Sequence, residues 1–187
     1  MRKIGISSAI AVSALALAAT QGGAQAPAPA PTAPKLTPAP SNMVVYDNQL
    51  ESGWTNASPA NVVTISSEVT GSTRKPIQVD AAAPGQGVIL KHAPMTAGYR
   101  ALSFLIQGVP PGGGTVQVLA LANGTPLNAT GKVEQLKAGG WTKVQVPLHD
   151  LGAENAPFDT IEFINNGTAP TPTFFVTDVS LCPDKCS

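Results

Sequence analysis

Apolar residues in this chain recur at every second position, and the runs are cut at short intervals by Gly, Pro and Asn. Successive side chains of a strand point to opposite faces, so this period builds half-buried strands; a helix needs apolar residues three and four apart. Thr142-Lys143-Val144-Gln145-Val146 alternates cleanly, with Val144 and Val146 facing a core and Thr142, Lys143 and Gln145 nearer water. Val116, Val118 and Ala120 form a second such set, and Leu102, Phe104 and Ile106 a third. The pattern predicts strands over 43–47, 61–66, 76–80, 87–91, 99–107, 115–122, 132–136, 142–147, 160–165 and 173–181. Turn signals separate them: Pro110-Pro111-Gly112-Gly113-Gly114, Asn123-Gly124, Ala138-Gly139-Gly140 and Asn166-Gly167. No window sustains a helical period, and only 148–155 has room for a helical turn. The expectation is an all-β fold, a two-sheet antiparallel β-sandwich of jelly-roll type over residues 42–187.

The residues before it belong to other classes. Met1-Arg2-Lys3 is a short basic start, followed by the apolar run 4–19 and then small residues up to Ala24. This is the layout of a secretory signal peptide with cleavage after Ala24. The run is shorter than the ~20 residues needed to cross a bilayer, so no membrane span is expected after cleavage. Residues 25–41 include APAPAPTAPKLTPAP. Pro at almost every second position removes amide donors and holds the backbone extended, which makes a semi-rigid linker. The expected location is extracellular or periplasmic.

Charge narrows the partners. Charged residues make up 12% of the chain, and removing Arg2 and Lys3 leaves nine basic and eleven acidic side chains. Without a basic patch or a Lys/Arg run, nucleic acid is excluded as a partner. Cys182 and Cys186 are the two cysteines, and a secreted location permits a disulfide. A local Cys182–Cys186 bridge is expected, with pairing to another chain as the alternative. Metal binding by the pair lacks accompanying His or Cys residues.

No catalytic constellation emerges. His92 and His149 stand outside any metal-binding spacing, no Gly-x-Ser-x-Gly motif occurs, and the eleven acids are scattered. Glu162 is the acid inside an apolar strand, Ile161-Glu162-Phe163-Ile164, and alternation places it on a solvated sheet face. The domain is therefore read as non-enzymatic. Four Asn-x-Ser/Thr sequons begin at Asn56, Asn123, Asn128 and Asn166, but the Ala-rich signal peptide has a bacterial character in which they carry no meaning.

From Val45 onward a series of segments occurs in a recognisable order: Val45-Tyr46-Asp47-Asn48-Gln49-Leu50-Glu51-Ser52-Gly53-Trp54, Gly98-Tyr99-Arg100-Ala101-Leu102-Ser103-Phe104 and Gly112-Gly113-Gly114-Thr115-Val116-Gln117-Val118. Trp141-Thr142-Lys143-Val144-Gln145-Val146-Pro147-Leu148-His149-Asp150-Leu151-Gly152 and Pro172-Thr173-Phe174-Phe175-Val176-Thr177-Asp178-Val179-Ser180-Leu181 complete it. The series resembles secreted jelly-roll modules of the galactose-binding-like, carbohydrate-binding-module type. Where the resemblance would place further Trp residues, this chain has Ala57, Pro59, Leu105 and Glu162. The resemblance implies a secreted, non-catalytic carbohydrate-binding module, or a degenerate descendant of one, whose partner is an extracellular or cell-wall polysaccharide. It also implies a structural calcium near Asp47 and Asp178, on terminal strands expected to pair.

Sugar rings stack apolar C–H faces on aromatics, while amides and carboxylates bind their hydroxyls. The expected ligand-binding residues are Trp54 for stacking and Asn56, Gln107, Gln145 and Glu162 for hydrogen bonding. Tyr46 and Tyr99 are expected to be structural, and Trp141 to plug a core or sheet end. The alternative function is a structural or adhesion protein of the envelope or matrix that binds protein partners.

Overall fold

The structure is a computed structural model that describes residues 41–95, 98–184 and 186. The expected signal peptide (1–24), and all but the last residue of the expected linker (25–41), lie outside the described residues.

Thirteen strands and no helix occur among the described residues. In chain order they are β1 (Met43–Asp47), β2 (Gln49–Leu50), β3 (Thr55–Asn56), β4 (Val63–Thr64), β5 (Ile77–Val79), β6 (Gly87–Met95) and β7 (Ala101–Gly108). There follow β8 (Thr115–Ala122), β9 (Thr125–Pro126), β10 (Lys132–Gln135), β11 (Thr142–Pro147), β12 (Phe158–Asn165) and β13 (Phe174–Cys182). All strand pairs are antiparallel, and they form two sheets. In the front sheet the order is β11-β7-β13-β1-β2, with β5 also on β13 and β4 beyond it. In the back sheet it is β10-β8-β12-β6-β3, with β9 on β8. This is the expected all-β sandwich.

Alternation fills the space between the sheets. Leu102, Phe104 and Ile106 of β7 and Val176, Val179 and Leu181 of β13 enter from the front; Val116, Val118, Ile161 and Phe163 enter from the back. Phe104 and Phe163 meet edge to face, with ring centroids 4.9 Å apart, one from each sheet. Burying a side chain of this size stabilises the fold by about 1.5–3 kcal/mol. The Asn123-Gly124 hairpin between β8 and β9 has both residues at positive φ, 50° and 77°, the backbone that a tight two-residue hairpin requires.

Two irregularities shape the front sheet. Along one side β13 pairs with β7; along the other it pairs first with β5 and then with β1. The change of partner falls at a register shift between Thr177 and Ser180, where Asp178 has φ 51°. A matching shift in β1 lets Val45 and Tyr46 both turn inward. The Tyr46 hydroxyl donates to the Lys75 carbonyl at 2.5 Å and accepts from the Ser66 amide at 3.0 Å, which fixes the strand-free segment 66–75 to β1. Tyr46 is structural, as expected, and burial raises its phenol above the usual range.

Candidate functional site

The outward residues of the front sheet can be read from its register. One row crosses Thr64 on β4, Gln78 on β5, Phe175 on β13 and Gln107 on β7. A second crosses Thr177, Leu105 and Lys143 on β13, β7 and β11. A third crosses Val44, Ser180, Ser103 and Gln145, on β1, β13, β7 and β11. The last crosses Cys182, Ala101 and Pro147. A half-buried ring, Phe175, therefore stands between two amide side chains.

Gln78 is held in place: its Nε2 donates to Asp80 Oδ2 at 2.7 Å, and Asp80 Oδ1 accepts from the Thr173 hydroxyl at 2.8 Å. For Gln107 and Gln145 no side-chain hydrogen bond occurs among the described residues, so their amides remain available to a ligand.

Three hollows adjoin on this face. The first, about 620 Å³, lies among Arg100, Ala101, Gln145, Pro147 and Asp184. The second, about 320 Å³, is lined by Ser103, Leu105, Lys143, Ser180 and both cysteines. The third, also about 320 Å³, has Val44, Asp47, Arg74 and Asp178 at its walls and shares Asp178 and Ser180 with the second. Together they run crosswise to the strands, from β11 over β7 and β13 to β1. At about 4.8 Å per strand spacing, three spacings give a groove of roughly 14 Å. The first hollow has an apolar floor of Ala101 and Pro147 beside the Gln145 amide, and Lys143, Asp178, Asp47 and Arg74 add charged groups to the other two. Such a mix suits a ligand that is apolar on its face and rich in hydroxyls at its edge.

The expected ligand set does not come together. Gln107 and Gln145 lie on the front face, while Asn56 and Glu162 belong to the back sheet, across the core from them. Asn56 is committed to a local turn, accepting the Ser58 amide at 3.0 Å. Glu162 faces outward, as alternation predicts, between Ile89 and Leu119. Desolvation raises its carboxyl above the usual range, and the charge of Lys91 pulls the other way. Beside it the Gln117 amide holds the Ala129 and Thr130 carbonyls, which folds the β9–β10 connection over Leu119 and leaves that residue 5% exposed. The back face is thus partly roofed.

Trp54 is corrected outright as a stacking residue. It is 4% exposed and belongs to the core, its ring tilted against His92 at 5.2 Å. The reason is local: Ser52 and Gly53 both adopt positive φ, 53° and 80°, and the tight turn drives the indole inward. Its Nε1 is buried without a partner among the described residues. Trp141, expected as a plug, is half-buried just before β11. Phe175 was missed. The signal was present, since Phe174-Phe175 in an alternating strand must send one ring outward.

Asp47 and Asp178 do line one hollow, on the paired terminal strands. Asp178 is occupied by Arg74, whose Nε lies 3.4 Å from Oδ2. Calcium takes six to eight oxygens, and no group of three or more His, Cys, Asp or Glu suited to a metal occurs among the described residues. Asp178 is thus engaged by Arg74, while Asp47 makes no ion pair among the described residues. The Cys182–Cys186 disulfide is formed, as expected. No helix of the described residues is long and apolar enough to cross a membrane.

The fold is a jelly-roll β-sandwich similar to that of solved carbohydrate-binding modules. A point mutant of a family 29 carbohydrate-binding module superposes with a TM-score of 0.53 at 15% identity, over 75% of this chain and 84% of that one. A second family 29 mutant, complexed with mannohexaose, gives 0.50 at 14% identity, over 75% and 90%. The family 11 module from Clostridium thermocellum, in complex with a β-1,3-1,4-mixed-linked tetrasaccharide, gives 0.50 at 15% identity, over 75% and 95%. No protein-family model and no curated protein matches the sequence.

Proposed function

We propose that the domain is a non-catalytic, extracytoplasmic glycan-binding module whose site is the crosswise groove on the front face. The observation that carries this is the set of three hollows across the front face, which share that face with the row Gln78–Phe175–Gln107, an apolar ring between two amides. Phe175 and Leu105 offer C–H stacking surface; Gln107, Gln145 and Ser180 offer donors and acceptors for hydroxyls. The sandwich fold shared with modules seen in complex with mannohexaose and a mixed-linked tetrasaccharide supports the reading.

The test is affinity electrophoresis of the full chain against mannan, glucomannan, mixed-linkage β-glucan, an acidic glycan and chitosan. Retardation by a neutral glycan is expected, abolished by Phe175→Ala and kept by Glu162→Gln on the opposite face. Absence of retardation by every glycan, with circular dichroism unchanged, refutes the proposal. Self-association at high protein concentration in that case would point to the envelope or matrix adhesion role.

A further inference from the structure

β13 ends at Cys182, whose outward position beside Ala101 and Pro147 aims its sulfur at the groove face. The chain then doubles back. The sulfur of Cys186 comes within 4.0 Å of the Ser180 carbonyl, two residues earlier on β13, and the disulfide locks that return. Both cysteines thereby become part of the wall of the second hollow. Asp184, between them in sequence, is brought to the first hollow opposite Gln145, above a floor of Ala101 and Pro147.

Among the described residues, the polar groups that line the first hollow with Asp184 are otherwise engaged or neutral. The Arg100 guanidinium is paired with Glu154, and Gln145 carries no charge. Among the described residues Asp184 has neither an ion pair nor a side-chain hydrogen bond, and it is exposed. An exposed carboxylate above an apolar floor and facing an amide is an acceptor for two neighbouring hydroxyls of one sugar ring. It also repels an anionic ring.

Resting on the glycan-binding reading above, we propose that Asp184 is a specificity-determining residue of that site, held in place by the Cys182–Cys186 disulfide. The first hollow is then an end subsite for a neutral sugar ring. Asp184 selects neutral glycans over uronic acids there, and the disulfide serves binding rather than overall stability. Hydrogen bonds to a charged group contribute about 1.5–3 kcal/mol, so losing this acceptor weakens binding by roughly 10- to 100-fold.

The experiment is isothermal titration of the full chain with mannohexaose and with the mixed-linked tetrasaccharide. The variants are Asp184→Asn, Cys182→Ser/Cys186→Ser, their combination, and Phe175→Ala. Asp184→Asn and the double Cys variant should each weaken binding about tenfold or more, and the combination should be no worse than either. That non-additivity separates positioning of Asp184 from a general loosening of the fold, which would add a further loss. Asp184→Asn should also narrow the preference for neutral over uronic-acid oligosaccharides.

If Phe175→Ala abolishes binding while Asp184→Asn leaves affinity and preference unchanged, this inference fails and the glycan reading stands. Equal Cys-variant losses with and without Asp184 overturn the disulfide's positioning role. If the parent protein binds neither oligosaccharide, the reading beneath it fails as well.

Discussion

Replacing Tyr46 by Phe removes one oxygen atom and leaves the ring in its fully buried position. That oxygen makes two hydrogen bonds, to the Lys75 carbonyl and from the Ser66 amide. A hydrogen bond of this kind contributes about 0.5–1.5 kcal/mol net, and a buried partner left unsatisfied costs more than the average. Two of them give an expected loss of about 1–3 kcal/mol, or a fall in Tm of roughly 2–12 °C for a domain of this size. Urea denaturation checks it: the midpoint should fall with the slope unchanged, because the surface exposed on unfolding is the same. Hydrogen exchange adds the location. The Ser66 amide should lose protection ahead of the β7 and β12 amides, since the segment 66–75 is tied to β1 through this hydroxyl. The same segment carries Arg74, the partner of Asp178 at the end of the groove. A loss below about 0.3 kcal/mol, with Ser66 protection intact, would refute the reasoning; 0.3 kcal/mol is under the low end for even one hydrogen bond.

Three further outcomes follow from the geometry. Glu162→Gln should raise stability at pH 7, because burial raises the folded-state pKa and ionised Glu162 is a penalty above it; the gain should vanish as pH falls below the unfolded Glu value of about 4.3, which thermal melts at the two pH values would show. Gly87→Ala should cost about 1–3 kcal/mol by overpacking, since a Cβ there would overlap the Phe163 carbonyl oxygen on β12; a urea midpoint equal to the parent's would contradict the close β6–β12 approach. Millimolar calcium should leave Tm where EDTA leaves it, because an ion binding the folded state at 100 times its Kd would add about 2.7 kcal/mol and the Asp47–Asp178 hollow already holds Arg74.

The long strands were legible because their period is local. Residues 115–122 and 142–147 occupy the expected bounds as β8 and β11, and their apolar faces are the ones alternation selects. β2, β3 and β9 were not legible, since two residues carry no period. The expected strand 61–66 contracts to Val63–Thr64, with Ser66 at φ 57° closing it. β6 runs past its expected end at 91 to Met95, because Phe158 at the start of β12 supplies a partner there. Outward orientation was also readable for Gln145 and Glu162. Which sheet each joins was not, because strand order depends on partners far away in sequence. That is why a plausible polar set divided between two opposite faces. Trp54 shows the same limit at short range: the composition of Ser52-Gly53-Trp54 permits an exposed or a buried ring, and the positive φ at Ser52 and Gly53 decides it.

The pairing of Met43 with Leu181 sets how the domain carries load. The chain enters the sandwich at the end of β13 that leads into the disulfide, and Asn42 itself lines the second hollow. Tension arriving from upstream therefore acts first on the terminal rungs of the β1–β13 ladder and peels them one at a time, until it meets the Tyr46 anchor. The rungs between β13, β7 and β11, which carry most of the groove, are not the first to be strained. Under a pull from its upstream segment, the domain would give at its tether before it gave at its grip.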